Sequence, residues 1–243
     1  MDLDLSTHGQ CMITMFNYID DILAAWKAAA QIPDSDGFKT VGTKRKKISS
    51  AAPENLFVVD KDCKKLDSVK AKAFHNIVAK ALYVMKRARP DISVAVALLT
   101  TRVRGPDQQD WENLSHLMQY LHSTRDLPLI LGADCTGIVK WFVDASFAVH
   151  TNMRSHSGGA VTLGHRFPIV TSTKQKLNTR SSTESELVGV DDLMPSILWT
   201  RNFLKAQGYE VTKNILYQDN KISILLEKNG KSLSSKITRH ISI

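Results

Sequence analysis

The chain has 243 residues, 43% of them hydrophobic, enough for one large domain or two small ones with a real core. Its net charge of +8 and isoelectric point near 9.4 favour a polyanionic partner such as nucleic acid. Three scattered cysteines, Cys11, Cys63 and Cys135, argue against a zinc site or a disulfide framework, and no apolar run approaches the roughly 20 residues of a membrane span.

The first ten residues lack the basic and apolar stretches of a secretory signal, so an intracellular location, cytoplasmic or nuclear, is expected. From Phe16 to Ala30, the spacing of Phe16, Ile19, Leu23 and Trp26 predicts a helix. The stretch after it contains Pro33, Gly37 and a basic cluster at Lys44 to Lys47, and reads as a solvated linker. Three helices are then predicted: Ser68 to Arg87, Asp91 to Arg104 and Asp107 to Ser123, with Pro90 and Pro106 where new helices begin. Tyr83, Trp111, Leu114, Leu117 and Leu121 are their expected packing residues.

After Gly132 the texture changes to strands. I-V-K-W-F-V-D-A, G-G-A-V-T-L and F-P-I-V-T-S read as three antiparallel strands, with Gly164-His165 as a turn between the last two. The run S-S-T-E-S-E-L-V-G-V opens a helix, since both Ser181 to Glu184 and Thr183 to Glu186 have capping-box spacing. Its expected apolar face is Leu187, Val190, Met194, Ile197, Leu198 and Leu204, with Pro195 kinking or restarting it and Gly208 ending it. A fourth strand, N-I-L-Y-Q-D, leads into a helix from Asn220 to about Lys228. The order from Gly132 is thus β-β-β-α-β-α.

Asp144 is out of place in a buried strand, because an ionised carboxylate is costly to bury without a partner. If the fourth strand lies parallel beside the first, Asp144 and Asp219 stand side by side, and Glu186 on the intervening helix can point over the same spot. Three converging carboxylates repel one another unless divalent cations neutralise them, and magnesium or manganese suits such oxygen ligands. Two such ions roughly 3.5–4 Å apart can activate a water and stabilise the leaving oxygen of a phosphodiester. Each residue also has a purely structural reading: Asp144 as a hydrogen-bonded strand-end residue, Asp219 as a helix cap, and Glu186 as a capping-box member.

The stretches K-W-F-V-D-A-S-F, M-R-S-H-S-G-G, S-T-K-Q-K-L-N-T-R-S-S-T-E-S-E-L-V-G-V, I-L-Y-Q-D-N-K-I-S-I and S-K-I-T-R-H-I-S-I resemble the ribonuclease H domain of copia-type retrotransposon Pol polyproteins. A-F-H-N-I-V-A-K-A-L-Y-V-M-K-R-A-R-P-D-I-S is similar to the region joining polymerase to nuclease in that family. The resemblance implies a helical N-terminal segment followed by a ribonuclease H-like mixed sheet, an α+β or α/β fold. It divides the chain into a residual polymerase-end segment (1–64), a connection segment (65–131) and a ribonuclease H-like domain (132–243). The implied activity is metal-dependent hydrolysis of the RNA strand of RNA–DNA hybrids, with Asp144, Glu186 and Asp219 as catalytic metal ligands.

Glu184 is the rival for the second position, but residues two apart on a helix point about 200° apart. Glu186 precedes Leu187 in the family's E-L pattern, and Glu184 is left to complete the cap. Lys174, Lys176, Asn178 and Arg180 flank the helix start, where phosphate oxygens and a 2′-hydroxyl would be met. The family's fifth strand, last helix and fourth carboxylate would follow Ile243, so a truncated domain with weak or absent activity is expected. A degenerate remnant that only binds nucleic acid is the alternative. F-N-Y-I-D-D-I-L also resembles the Tyr-x-Asp-Asp hairpin of reverse transcriptases, but its helical flanks make Asp20 and Asp21 helix residues.

Overall fold

A computed structural model describes residues 1–31, 48–60 and 62–229, so the Lys44 to Lys47 cluster and the S-K-I-T-R-H-I-S-I stretch lie outside the described residues. The chain forms two compact units, Met1–Leu131 and Gly132–Ile243. Among the described residues there are six α-helices, with strands in two sheets. None of the described helices is long and apolar enough to cross a membrane.

The first unit opens with a hairpin of β1 (Asp2–Asp4) and β2 (Gln10–Thr14), which the sequence reading did not anticipate. It continues through α1 (Phe16–Ala30), α2 (Ser68–Met85), a 3₁₀ turn at Pro90–Ile92, α3 (Ser93–Arg102) and α4 (Gln108–Ser123). Ile19, Leu23 and Trp26 of α1 share one core with Phe74, Ile77, Leu99, Leu114 and Leu117, so the segment around Asp20 and Asp21 is helical. Trp26 packs against Trp111 with ring centroids 4.7 Å apart. Tyr83, expected inside, is instead 42% exposed. Its ring covers Tyr18 and lies under the Arg87 guanidinium, a half-wet position an amphipathic phenol fills readily.

The helices start where capping chemistry allows. Asp67 accepts from the amides of Val69 and Lys70 at the head of α2. Asp107 and Asp110 exchange side-chain-to-amide bonds of 3.0 Å at the head of α4, a complete capping box. Both carboxylates are buried, and Arg102 reaches Asp107 at 2.7 Å and Asp110 at 2.8 Å, with Lys65 at 3.3 Å from Asp107. Burial raises Asp110 toward the neutral form. In Asp107 the same desolvation is outweighed by the Asp110 amide, Lys65 and Arg102, which hold it below the usual carboxylate range.

The second unit contains β3 (Leu129–Ala133, its end within this unit), β4 (Ile138–Ser146), β5 (His156–Thr162), β6 (Gly164–His165), β7 (Ile169–Lys174), α5 (Ser182–Ala206), β8 (Lys213–Tyr217) and α6 (Lys221–Asn229). The main sheet has the order β7-β5-β4-β8, with β5 antiparallel to both neighbours and β8 parallel to β4. The parallel pairing sets Lys140 against Ile215 and Phe142 against Tyr217. Gly164-His165 is not a simple turn: it pairs as a two-residue strand with Gly132 and Ala133, using backbone groups a turn would leave to solvent.

Alternation along β4 places Val139, Trp141, Val143 and Ala145 on the buried face, and leaves Phe142 and Asp144 on the open one. The buried face packs on α5 through Val190, Leu193 and Ile197. Met194 and Leu198, expected on that face, are 37% and 49% exposed; Leu193, not expected there, joins Val190 and Ile197 against the sheet. α5 also runs through Pro195 without restarting. Pro195 and Asp191, whose carbonyl has no Pro195 amide to accept, both lie on the exposed side of the helix. Gly208, at φ 85°, follows the helix end as expected.

Gly159 sits under the helix: a Cβ there would lie 2.7 Å from Thr171 Oγ1 and 3.0 Å from Leu193 Cδ1. Only a residue without a side chain lets α5 approach β5 this closely.

Candidate metal site

β4 carries Asp144 on its open face, α5 carries Glu186 in its second turn, and β8 delivers Asp219 just beyond its last residue. These segments bring one carboxylate oxygen from each residue within 4.8 Å of the others. Asp144 and Asp219 are exposed, whereas Glu186 is 6% exposed. Among the described residues, no lysine or arginine is paired with any of the three. Such a set of hard oxygen donors could hold a divalent cation.

Glu186 bears the consequence. Burial pushes its carboxyl above the usual range, and the charges of Asp144 and Asp219 push it further; a hydrogen bond from Gln218 and one from the Ala145 amide act the other way. The Gln218 bond runs from Nε2 to Glu186 Oε2 at 3.1 Å. Nothing in the sequence signalled Gln218, a polar residue at a strand end.

The structural readings of the acidic residues are now separable. Asn220, not Asp219, caps α6, accepting from the amides of Ile222 and Ser223 at 3.0 Å each. At the head of α5 the capping pair is Ser181 and Glu184: Ser181 Oγ accepts the Glu184 amide at 3.2 Å, and Glu184 Oε2 accepts the Arg180 amide at 2.7 Å. Glu184 is fully buried and turned to the cap, which leaves Glu186 to the carboxylate group.

The loop between β7 and α5 carries the four polar residues read as nucleic-acid contacts. Lys176, Asn178 and Arg180 are exposed, while Lys174 is half-buried at the end of β7. Beneath them lies a buried polar network the sequence did not reveal. Gln175, 1% exposed, donates through Nε2 to Ser157 Oγ and to the Ser185 carbonyl, both at 2.7 Å, tying the loop to β5 and to the first turn of α5. His150 Nε2 lies 3.1 Å from His156 Nδ1, and His156 Nε2 lies 2.7 Å from Ser172 Oγ. Burial holds both imidazoles neutral, each lowered to about 4, with Lys174 adding to the effect on His150. Polar residues in a loop read as solvated from sequence; only the fold shows them enclosed.

The chain is similar to a stretch of retrovirus-related Pol polyproteins of copia-type transposons. It is 28% identical over 171 residues to the one from transposon TNT 1-94 of Nicotiana tabacum, covering 70% of this chain and 13% of that polyprotein. It is 30% identical over 145 residues to the one from transposon RE2 of Arabidopsis thaliana, covering 59% of this chain and 10% of the polyprotein. A secreted RxLR effector protein 161 of Plasmopara viticola matches at 28% over 123 residues, 50% of this chain and 87% of the effector. The chain therefore spans only a small part of the Pol polyproteins it matches, and the expected Pol resemblance is borne out at that level. No protein-family model matches the chain, and no solved structure does.

Proposed function

We propose that the 132–243 unit is a ribonuclease H-like nuclease domain that hydrolyses the RNA strand of RNA–DNA hybrids, with Asp144, Glu186 and Asp219 as its catalytic carboxylates. In this reading residues 1–64 derive from the end of a polymerase and 65–131 from the segment connecting it to the nuclease. The observation that carries the proposal is the approach of three carboxylates, from β4, α5 and the end of β8, to within 4.8 Å, with no lysine or arginine paired to them among the described residues. The similarity to Pol polyproteins supports it.

The donor set fits magnesium or manganese: all ligands are carboxylate oxygens, and the two exposed ones open toward solvent. Bound divalent cations would supply neutralisation of the phosphodiester charge and a water acidic enough to attack at neutral pH. The chain's own part is positional. Asp144 and Asp219 present oxygens at the open face, and Glu186 is held by hydrogen bonds from the Ala145 amide and Gln218. In this reading Lys176, Asn178 and Arg180, exposed on the loop entering α5, would contact backbone phosphates and a 2′-hydroxyl. Such contacts read hybrid shape more than sequence.

The test is cleavage of a hybrid with a labelled RNA strand. We expect slow cleavage that requires Mg²⁺ or Mn²⁺, because three carboxylates are a small donor set for two ions, and its loss in Asp144→Asn. Cleavage that survives both chelation and Asp144→Asn would overturn the proposal, as would the absence of cleavage together with no binding of Mn²⁺.

A further inference from the structure

Gln218 occupies an unusual position. Its amide nitrogen donates to Glu186 Oε2 at 3.1 Å, while its carbonyl oxygen accepts the backbone amides of Asp219 at 2.8 Å and Asn220 at 3.2 Å. One neutral side chain therefore binds the buried carboxylate of the trio and the turn that carries an exposed one. The Glu186 carboxylate also receives the backbone amide of Ala145, the residue after Asp144. Glu186 is thus held between the immediate chain neighbours of the two other carboxylates.

We propose that Gln218 is a positioning residue of the carboxylate trio, a strap that sets the spacing of Glu186 and Asp219 before a cation arrives. This rests on the metal-binding reading of the site. Like charges within 4.8 Å push apart, so a trio without a cation tends to splay. A lysine in this place would hold the carboxylates together but compete with the incoming ion; a neutral amide holds them without bringing a positive charge. The strap also fixes the Asp219 backbone, since two successive amides of the turn converge on one oxygen. Partners that orient metal ligands in this way typically change metal affinity by about 10–100-fold when removed.

Gln218→Met keeps the length of the side chain and removes both hydrogen-bonding functions. Gln218 is half-buried, so the variant should fold, and circular dichroism with a melting curve checks that it does. Two readouts are taken on the full chain: Mn²⁺ affinity by calorimetry, and amide exchange at Asp219 and Asn220 in metal-free protein. The expected result is Mn²⁺ binding weakened at least tenfold, with faster exchange at both amides and a melting temperature close to that of the parent. Gln218→Ala should behave alike. If the parent binds Mn²⁺ and the variants bind it within twofold, the strap is refuted while the metal site stands. If the parent binds no Mn²⁺, the metal reading falls and the strap's purpose with it, whatever the exchange rates show.

Discussion

Two clusters of carboxylates in this chain obey opposite rules. In the helical unit, Asp107 and Asp110 are buried together, and Arg102 and Lys65 come with them. In the sheet unit, Asp144, Glu186 and Asp219 converge with a neutral glutamine and a backbone amide, and among the described residues no lysine or arginine pairs with them. The first cluster closes its charge balance within the fold and caps a helix. The second leaves its balance open, which is costly unless something from outside completes it. Proximity of acids alone says little; whether the sequence supplies the counter-charge separates a structural cluster from a candidate site.

The comparison can be broken most sharply at Arg102. Arg102→Ala leaves two buried carboxylates without their main partner and should destabilise the helical unit by about 3–5 kcal/mol, read by urea denaturation with hydrogen exchange to localise the loss. A loss under about 1 kcal/mol would mean that the first cluster is not internally balanced. Next in size is the response to metal: Mn²⁺ at about 100 times its dissociation constant should stabilise the sheet unit by about 2.7 kcal/mol and leave the helical unit unchanged. Equal protection of both units would erase the distinction.

A smaller effect is expected from Asp144→Asn in metal-free protein. Removing one of three mutually repelling charges at an exposed position should leave stability unchanged or raise it by under about 1 kcal/mol, while eliminating the Mn²⁺ response. Clear destabilisation would assign Asp144 a structural bond after all.

The pH dependence is the subtlest test. Glu186 has a raised carboxyl in the folded protein, so the folded state binds the proton more tightly and loses stability as pH rises above the ordinary glutamate range. His150 and His156, lowered to about 4, act in the opposite sense: stability is lost as pH falls from 6.5 toward 4. The Glu186 contribution therefore has to be read as the difference between the parent and Glu186→Gln. Added Mn²⁺ should abolish that loss in the parent and have no effect on the variant. An identical pH profile for the two proteins would show that Glu186 is not strained by its neighbours.

The legibility of these features follows physical lines. The main strands were readable from their β-rich runs, and the neighbourhood of Asp144 and Asp219 from the parallel pairing of β4 and β8; the exposure of Asp144 was not, because W-F-V-D-A reads as a buried run and only the sheet shows that one face of β4 is open. Although the capping box of Asp107 with Asp110 was not legible, the helix start at Ser181 was readable from capping spacing and the one near Asp107 from Pro106. The outward turn of Met194 and Leu198 was not, because α5 has more apolar residues than one face can hold, and the sheet decides which are buried. The β1–β2 hairpin is short, with β1 exposed and β2 only half-buried, and offers little hydrophobic signal to read. Gln175, Gln218 and the histidine pair were invisible for a different reason: their roles depend on partners distant in sequence, on which local spacing is silent.

The bare α-carbon of Gly159 sets a mechanical tolerance. It meets Leu193, seven residues along α5 from Glu186, about 10.5 Å on the helix axis. A methyl group at Gly159 would have to displace the ends of the Leu193 or Thr171 side chains, which would face it at 3.0 and 2.7 Å. The bare α-carbon is thus a clearance gauge between sheet and helix, set two turns from Glu186 on the helix that presents it.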